Sequence, residues 1–143
     1  MSGSPVATEG GGGAYQTIVV GTDGSERAHR AVAIAADLAL ACDATLHVIH
    51  AIQGTRESIV QAGRAVTDQV AAQLEGHAVR LRTHRVQGHA ADAILDFAYE
   101  SGADLIVVGN RGMAGKGRFL GSVPNAIAHS SWCAVMIVPT DEL

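Results

Sequence analysis

The densest group of residues with binding chemistry is the run from Gly109 to Ser122. It holds five glycines, at positions 109, 112, 115, 117 and 121, and three cations, Arg111, Lys116 and Arg118. Glycine lets backbone N–H groups approach an anion closely, and a helix N-terminus after such a loop adds further donors. Guanidinium and ammonium groups neutralise phosphate oxygens. The run therefore predicts a phosphate-binding loop, and the alternative interpretation is an ordinary surface loop.

The run differs from the two best-known phosphate motifs. A Walker A loop requires Gly-Lys followed by Ser or Thr, whereas Gly115-Lys116 is followed by Gly117. A dinucleotide fingerprint opens the first strand–helix unit of its domain, but this run lies late in the sequence. The predicted phosphate loop is thus of another type.

A second candidate group is the segment Gly21-Thr22-Asp23-Gly24-Ser25-Glu26. The Asp23 carboxylate could accept a ribose hydroxyl or hold a metal ion that accompanies phosphates. Asp23 and Glu26 also have capping-box spacing, so helix capping is the alternative.

His47 and His50 are predicted to point to opposite faces of a strand, which excludes a shared metal ion. No catalytic base is apparent near the glycine-rich run, so efficient hydrolysis of a bound phosphate group is not expected.

The elements that must position these groups follow from hydrophobic periodicity. Short runs rich in β-branched residues predict strands at 17–20, 45–51, 79–86, 105–108 and 134–138. Helical spacing predicts helices between them, the first beginning after Ser25 as N-cap. Strict alternation predicts an α/β fold, a single doubly wound parallel sheet with helices on both faces. Ligands bind beyond the carboxyl ends of such strands, which is where both candidate segments fall.

Two strands have the features of sheet edges. Residues 79–86 alternate apolar with polar side chains, unlike a strand buried on both faces. Ala134–Val138 carries no charge and is followed by only five residues. An uncharged edge needs cover, which a second copy of the chain could supply. The alternative is that 134–138 is an interior strand.

Composition narrows the class of protein. The net charge of −4 argues against nucleic-acid binding. No apolar stretch reaches the roughly 20 residues that span a membrane, and no signal peptide is visible. Two distant cysteines fit reduced thiols in the cytoplasm. Residues 1–14 are Gly-rich and predict a disordered tail ahead of a domain at 15–143.

Across residues 15–140 the sequence resembles the universal stress protein family. The resemblance is carried by four segments, Ile18-Val-Val-Gly-Thr-Asp-Gly-Ser25, Ala103-Asp-Leu-Ile-Val-Val-Gly-Asn-Arg-Gly112, Gly121-Ser-Val-Pro-Asn125 and Cys133-Ala-Val-Met-Ile-Val138. It implies the ATP-binding kind of the family, strand order 3-2-1-4-5 and a homodimer paired through the last strand. The interval between Gly112 and Gly121 is eight residues, one fewer than the family motif has.

The resemblance also implies residue roles. Thr22 and Asp23 would face the adenosine and Ala51 the adenine. Gly112, Gly121, Ser122 and Val123 would hold the phosphates. Gly109 is the first glycine of the same motif, and Arg111 is a candidate phosphate-binding residue because of its charge. The expected ligand is ATP, with Mg²⁺ as a possible companion and AMP or cyclic AMP as alternatives. A dimeric scaffold that binds no nucleotide is a further alternative, and a flavin carrier is disfavoured because aromatic residues are missing near the site.

Overall fold

The computed structural model describes residues 13–110 and 120–140. Five strands form one parallel sheet in the order β3-β2-β1-β4-β5, which confirms the predicted fold class. The strands are β1 (Thr17–Gly21), β2 (Thr45–Ile52), β3 (Arg80–Gln87), β4 (Leu105–Gly109) and β5 (Ala134–Val138). The helices are α1 (Glu26–Cys42), α2 (Glu57–Gln73), α3 (Ala90–Ser101) and α4 (Ser122–Ser130).

The sheet separates two hydrophobic cores. Ile18 of β1 packs in the core with α1 and α2, whereas the next residue, Val19, packs in the core with α3 and α4. Both side chains are fully buried. Successive side chains of a strand point to opposite faces, so a strand covered on both sides must be apolar throughout. This explains the continuous apolar runs of β1 and β4.

The two edges of the sheet are β3 and β5, as predicted, and the interior-strand alternative for 134–138 is wrong. On β3, Arg80, Arg82 and Arg85 are exposed, while Leu81 and Val86 are half-buried. On β5, the side chain of Ile137 is 37% exposed. The polar edge is therefore covered by its own charged side chains, whereas the apolar edge is not.

The start of α1 shows that Ser25, and not Asp23, caps this helix. Ser25 is the N-cap, and its Oγ accepts the N–H of Ala28 at 3.2 Å. Asp23 does not cap the helix; its Oδ1 accepts the N–H of Ser25 at 2.9 Å. The capping-box interpretation of Asp23 is thus wrong, because the shorter serine side chain already occupies the capping position.

Two further expectations concern the ends of the chain and the bilayer. The predicted tail, 1–14, lies outside the described residues except for Gly13 and Ala14. None of the helices within 13–110 and 120–140 combines the length and apolarity needed to cross a bilayer.

Candidate functional site

An open cavity of about 170 Å³ lies beyond the carboxyl ends of β1 and β4. The chain leaves β1 toward β2 on one side and returns through β4 on the other, so this is the point where strand order reverses. One part of the lining is apolar and includes Ile49, Ile94 and Val108. The polar part comes from the first turns of α1 and α4 and from the segment after β5. The cavity therefore has an apolar wall for a ring system and polar ends for charged groups.

Most of the site residues predicted from the sequence lie together at this cavity. Its lining includes Thr22, Asp23, Ala51, Gly109, Ser122 and Val123. Gly121 directly precedes Ser122 as the N-cap of α4. Arg111 and Gly112 lie outside the described residues. Segments separated by up to a hundred residues in the sequence are therefore brought to one place by the sheet.

The backbone of Ala51 points toward the cavity. In a parallel strand the N–H and C=O of one residue face the same neighbour, and these alternate along the strand. The carbonyl of Ile49 faces β1, because it accepts the N–H of Thr22 at 2.9 Å. Ala51, two residues on, must face the same way, but the β1–β2 register ends at the pair Gly21–Ile49. Within the described parts of the chain, nothing pairs with the Ala51 N–H and C=O on that side.

The turn after β1 is held rigidly by its neighbours. The carbonyl of Thr22 accepts a hydrogen bond from Nδ1 of His50 at 3.0 Å. Since a carbonyl can only accept, this bond places the proton on Nδ1. The hydroxyl of Thr22 accepts the N–H of Gly24 at 3.1 Å, and Gly24 takes the positive φ of +84° that the turn requires. Asp23 is thereby presented at the rim with its side chain exposed.

The N-terminus of α4 offers two backbone donors to the cavity. Its N-cap, Gly121, has no side chain to cap the first turn. The third residue of the helix, Pro124, has no N–H, and the N–H of Asn125 already bonds the carbonyl of Gly121. The described residues supply no acceptor for the N–H groups of Ser122 and Val123. These two groups are positioned to bind an anion.

Asn110 ties three segments together next to this helix. Its N–H donates to the carbonyl of Val138 and its carbonyl accepts the N–H of Gly121, both at 2.9 Å. Its Oδ1 accepts the N–H of Thr140 at 3.1 Å and the Thr140 hydroxyl at 3.0 Å. A Cβ on Gly109 would lie 3.0 Å from the Thr140 methyl group. Glycine at 109 therefore also makes room for Thr140, which lines the cavity.

Several lining or supporting residues were not predicted from the sequence. Arg27 and Thr140 line the cavity, and His50 supports Thr22 from behind. Each reaches the site through packing between elements that are distant in sequence. Helical periodicity could have placed Arg27 in the first turn of α1, but it could not show in which direction the side chain points.

The histidines of β2 point to opposite faces, as predicted. His47 contacts His84 on the α3 side, with 2.9 Å between Nδ1 and Nε2, whereas His50 contacts Thr22. In the part of the chain that is described, no three His, Cys, Asp or Glu side chains converge as a metal site.

Comparisons with known proteins identify the family of this chain. The model of the universal stress protein family matches residues 14–139. A universal stress protein of Mycobacterium tuberculosis is 36% identical over 89% of this chain and 98% of its own length. One from Methanocaldococcus jannaschii is 30% identical over 87% of this chain and 82% of its own.

Two similar solved structures are complexes with adenine nucleotides. A universal stress protein in complex with cAMP is 34% identical, with a TM-score of 0.79 over 90% of this chain and 99% of its own. The Archaeoglobus fulgidus universal stress protein in complex with dAMP is 25% identical, with a TM-score of 0.74 over 86% of this chain and 97% of its own. The chain therefore belongs to the universal stress protein family.

Proposed function

We propose that this protein is a stress-response regulator that binds an adenine nucleotide, ATP foremost, in the cavity beyond β1 and β4. The observation that carries the proposal is a pair of unpaired backbone sites on one cavity. Ala51 presents an N–H and a C=O, while Ser122 and Val123 present two N–H groups. The first site suits a base and the second a phosphate.

Ala51 can distinguish the edge of adenine. The exocyclic amino group of adenine is a donor and its ring N1 is an acceptor. The carbonyl of Ala51 accepts from the amino group, and its N–H donates to N1. Side chains of Ile49, Ile94 and Val108 supply the apolar contact that a stacked or wedged ring needs. Backbone recognition of this kind requires no particular side chain at 51, which fits the presence of alanine.

The remaining parts of the nucleotide face polar groups. One oxygen of Asp23 accepts the N–H of Ser25, which leaves the other to accept ribose hydroxyls. The N-terminus of α4 holds a phosphate through the N–H groups of Ser122 and Val123. Gly109, Gly121 and the loop residues Arg111 and Gly112 complete the predicted phosphate site. Mg²⁺ would enter with a triphosphate, and hydrolysis would be slow at most.

Cyclic AMP is the second candidate ligand. It is supported by the 34% identical relative whose structure is a complex with cAMP. The loop that is one residue shorter than the family motif also favours a ligand with a single phosphate.

Isothermal titration with ATP, ADP, AMP and cyclic AMP, with and without Mg²⁺, tests the proposal. ATP is expected to bind more tightly than the other three. A preference for cyclic AMP of about tenfold, or about 1.4 kcal/mol, would favour the second candidate instead. Absence of binding by all four would leave the dimeric scaffold as the better explanation.

We further propose that the β5 edge pairs with a second copy of the chain. β5 is uncharged and has a strand neighbour on one side only among the described residues, and Ile137 is 37% exposed on it. Sedimentation velocity should show a dimer that Ile137→Lys converts to a monomer. Thr83→Lys, an exposed position on the opposite edge strand β3, is the matched control and should remain dimeric. A persistent dimer of the Ile137 variant would place the interface elsewhere.

A further inference from the structure

Arg27 is a charged residue of the cavity that the phosphate motif does not include. It is the second residue of α1, is half-buried, and lines the cavity together with its neighbour Ala28. The motif predicted from the sequence takes its cations from the loop at 111–118. Arg27 instead reaches the cavity from the first turn of α1, which follows β1.

The local electrostatics of α1 do not favour a cation at this position. The N-terminus of a helix carries a partial positive charge, so an arginine in the first turn is disfavoured and an acidic residue is favoured. Glu26 meets that preference, and Ser25 caps the helix. The positive charge of Arg27 therefore does not help to start the helix.

The N-terminus of α4 offers few backbone donors to a phosphate in this cavity. Because Pro124 occupies the third position of α4, the described backbone there supplies an anion with the N–H groups of Ser122 and Val123. A terminal phosphate has three oxygens, which accept more bonds than two N–H groups can give. A guanidinium group carries five donors in a planar fork that matches phosphate geometry.

The charge of the described lining also points to this role. Its ionisable side chains are Asp23 and Arg27. Asp23 alone would repel a phosphate, and Arg27 on the next turn of chain offsets that repulsion.

We propose that Arg27 is a phosphate-binding residue of this site, holding the nucleotide phosphate against the N-terminus of α4. The inference rests on the proposed function, because it concerns the same cavity and ligand class. It assigns discrimination between a nucleotide and a nucleoside to a side chain of α1.

Titration of the wild-type protein, Arg27→Met and Arg30→Met with adenosine, AMP and ATP tests the inference. Arg27→Met keeps much of the apolar side chain and removes the charge. It should weaken AMP and ATP by about ten- to hundredfold, the range for bonds to charged groups, and leave adenosine unchanged. Arg30 is exposed on the same helix, donates from Nε to the carbonyl of Pro139 and does not line the cavity. Arg30→Met should therefore bind all three like the wild type.

Arg27→Lys separates charge from geometry and serves if the methionine variant folds poorly. It should bind AMP with an affinity between those of the wild type and Arg27→Met, because lysine keeps the charge without the fork. Thermal melts of each variant verify the fold.

The outcomes distinguish the two proposals. If the wild type binds AMP or ATP and Arg27→Met binds them equally well, the inference is wrong and the proposed function stands. If Arg27→Met loses adenosine in the same proportion as AMP, the residue acts on the shape of the cavity and the inference is again wrong. If the wild type binds none of the three compounds, the proposed function fails and the inference falls with it.

Discussion

The two ends of the sheet differ in whether the chain itself supplies hydrogen-bond partners for the exposed backbone groups. At the amino end, the Asp104 carboxylate accepts the N–H of Gln16 at 3.1 Å and that of Thr17 at 3.0 Å. The carbonyl of Gln16 accepts the N–H of Thr45, and that of Thr17 the N–H of Asp104, both at 3.0 Å. At the carboxyl end, the N–H groups of Ala51, Ser122 and Val123 have no acceptor within 13–110 and 120–140.

This difference indicates that the amino end of the sheet contributes to stability, whereas the carboxyl end is available for binding. Hydrogen bonds made within the chain at the amino end hold β1, β2 and β4 in register. Groups left open to solvent at the carboxyl end contribute nothing to folding, and a ligand can satisfy them later without breaking internal bonds. Substitutions at the amino end should therefore lower stability, and those at the carboxyl end should lower affinity.

The largest effect is expected at the carboxyl end from Gly121→Val. A branched side chain at the N-cap would block the close approach of a phosphate to the backbone of α4. We expect nucleotide affinity to fall by at least about a hundredfold, or about 2.8 kcal/mol. Titration measures the loss, and circular dichroism should show a folded protein, since φ at 121 is −65° and permits any residue.

A graded series sharpens this prediction. Gly121→Ala adds only a Cβ and should lose less affinity than the valine variant. Equal affinity of the valine variant and the wild type would remove Gly121 from the phosphate site.

The next effect is expected at the amino end from Asp104→Ala. It removes the acceptor of two backbone N–H groups and should lower the free energy of unfolding by about 2 kcal/mol, with partial exposure of the carboxylate keeping the loss moderate. Urea denaturation measures it. Asp104→Asn retains one acceptor oxygen and should lose less. Nucleotide affinity should be unchanged in both, and a large loss of affinity would contradict the division between the ends.

Thr140→Val tests a place at the carboxyl end where the chain satisfies its own polar groups. The variant keeps the shape of the side chain but removes the hydroxyl that donates to Asn110. We expect a loss of about 1 kcal/mol in unfolding free energy. Thr140→Ser, which keeps the hydroxyl, should recover most of that loss. A valine variant as stable as the wild type would show that the bond from the Thr140 N–H to Asn110 is sufficient.

The contrast between local and distant contacts also explains what could be predicted from the sequence. The strands and the segments around Thr22, Gly109 and Ser122 were predictable because each is a contiguous pattern in the sequence, whereas the strand order came from the family resemblance. The alternative in which Asp23 caps α1 is wrong, because spacing cannot show which of two nearby side chains reaches the helix, whereas the prediction of Ser25 as N-cap is confirmed. Arg27, Thr140 and His50 were missed because packing between distant elements sets their directions. Sequence spacing carries no information on such contacts.

A third region, on the flank formed by β2 and β3, belongs to neither end. Burial lowers the pKa of His47 below its ordinary value of 6.5, and the charges of His84 and Arg82 lower it further. Burial and the charge of Arg82 likewise lower the pKa of His84. The two rings are stacked with centroids 5.1 Å apart, and both contact Phe97 of α3.

The smallest effect is expected from the pair His47 and His84. These residues should make stability depend on pH while leaving ligand binding unaffected. As the pH falls through 6.5, the unfolded chain takes up protons that the folded protein resists, because both folded pKa values lie lower. The free energy of unfolding should therefore decrease with falling pH and level off once the folded histidines are also protonated. Urea titrations across this range measure the slope, and His84→Gln should flatten it by removing one of the two groups. Adenosine affinity of the His84 variant should match that of the wild type, because neither ring lines the cavity. An equally steep slope in the variant would assign the pH dependence to other groups.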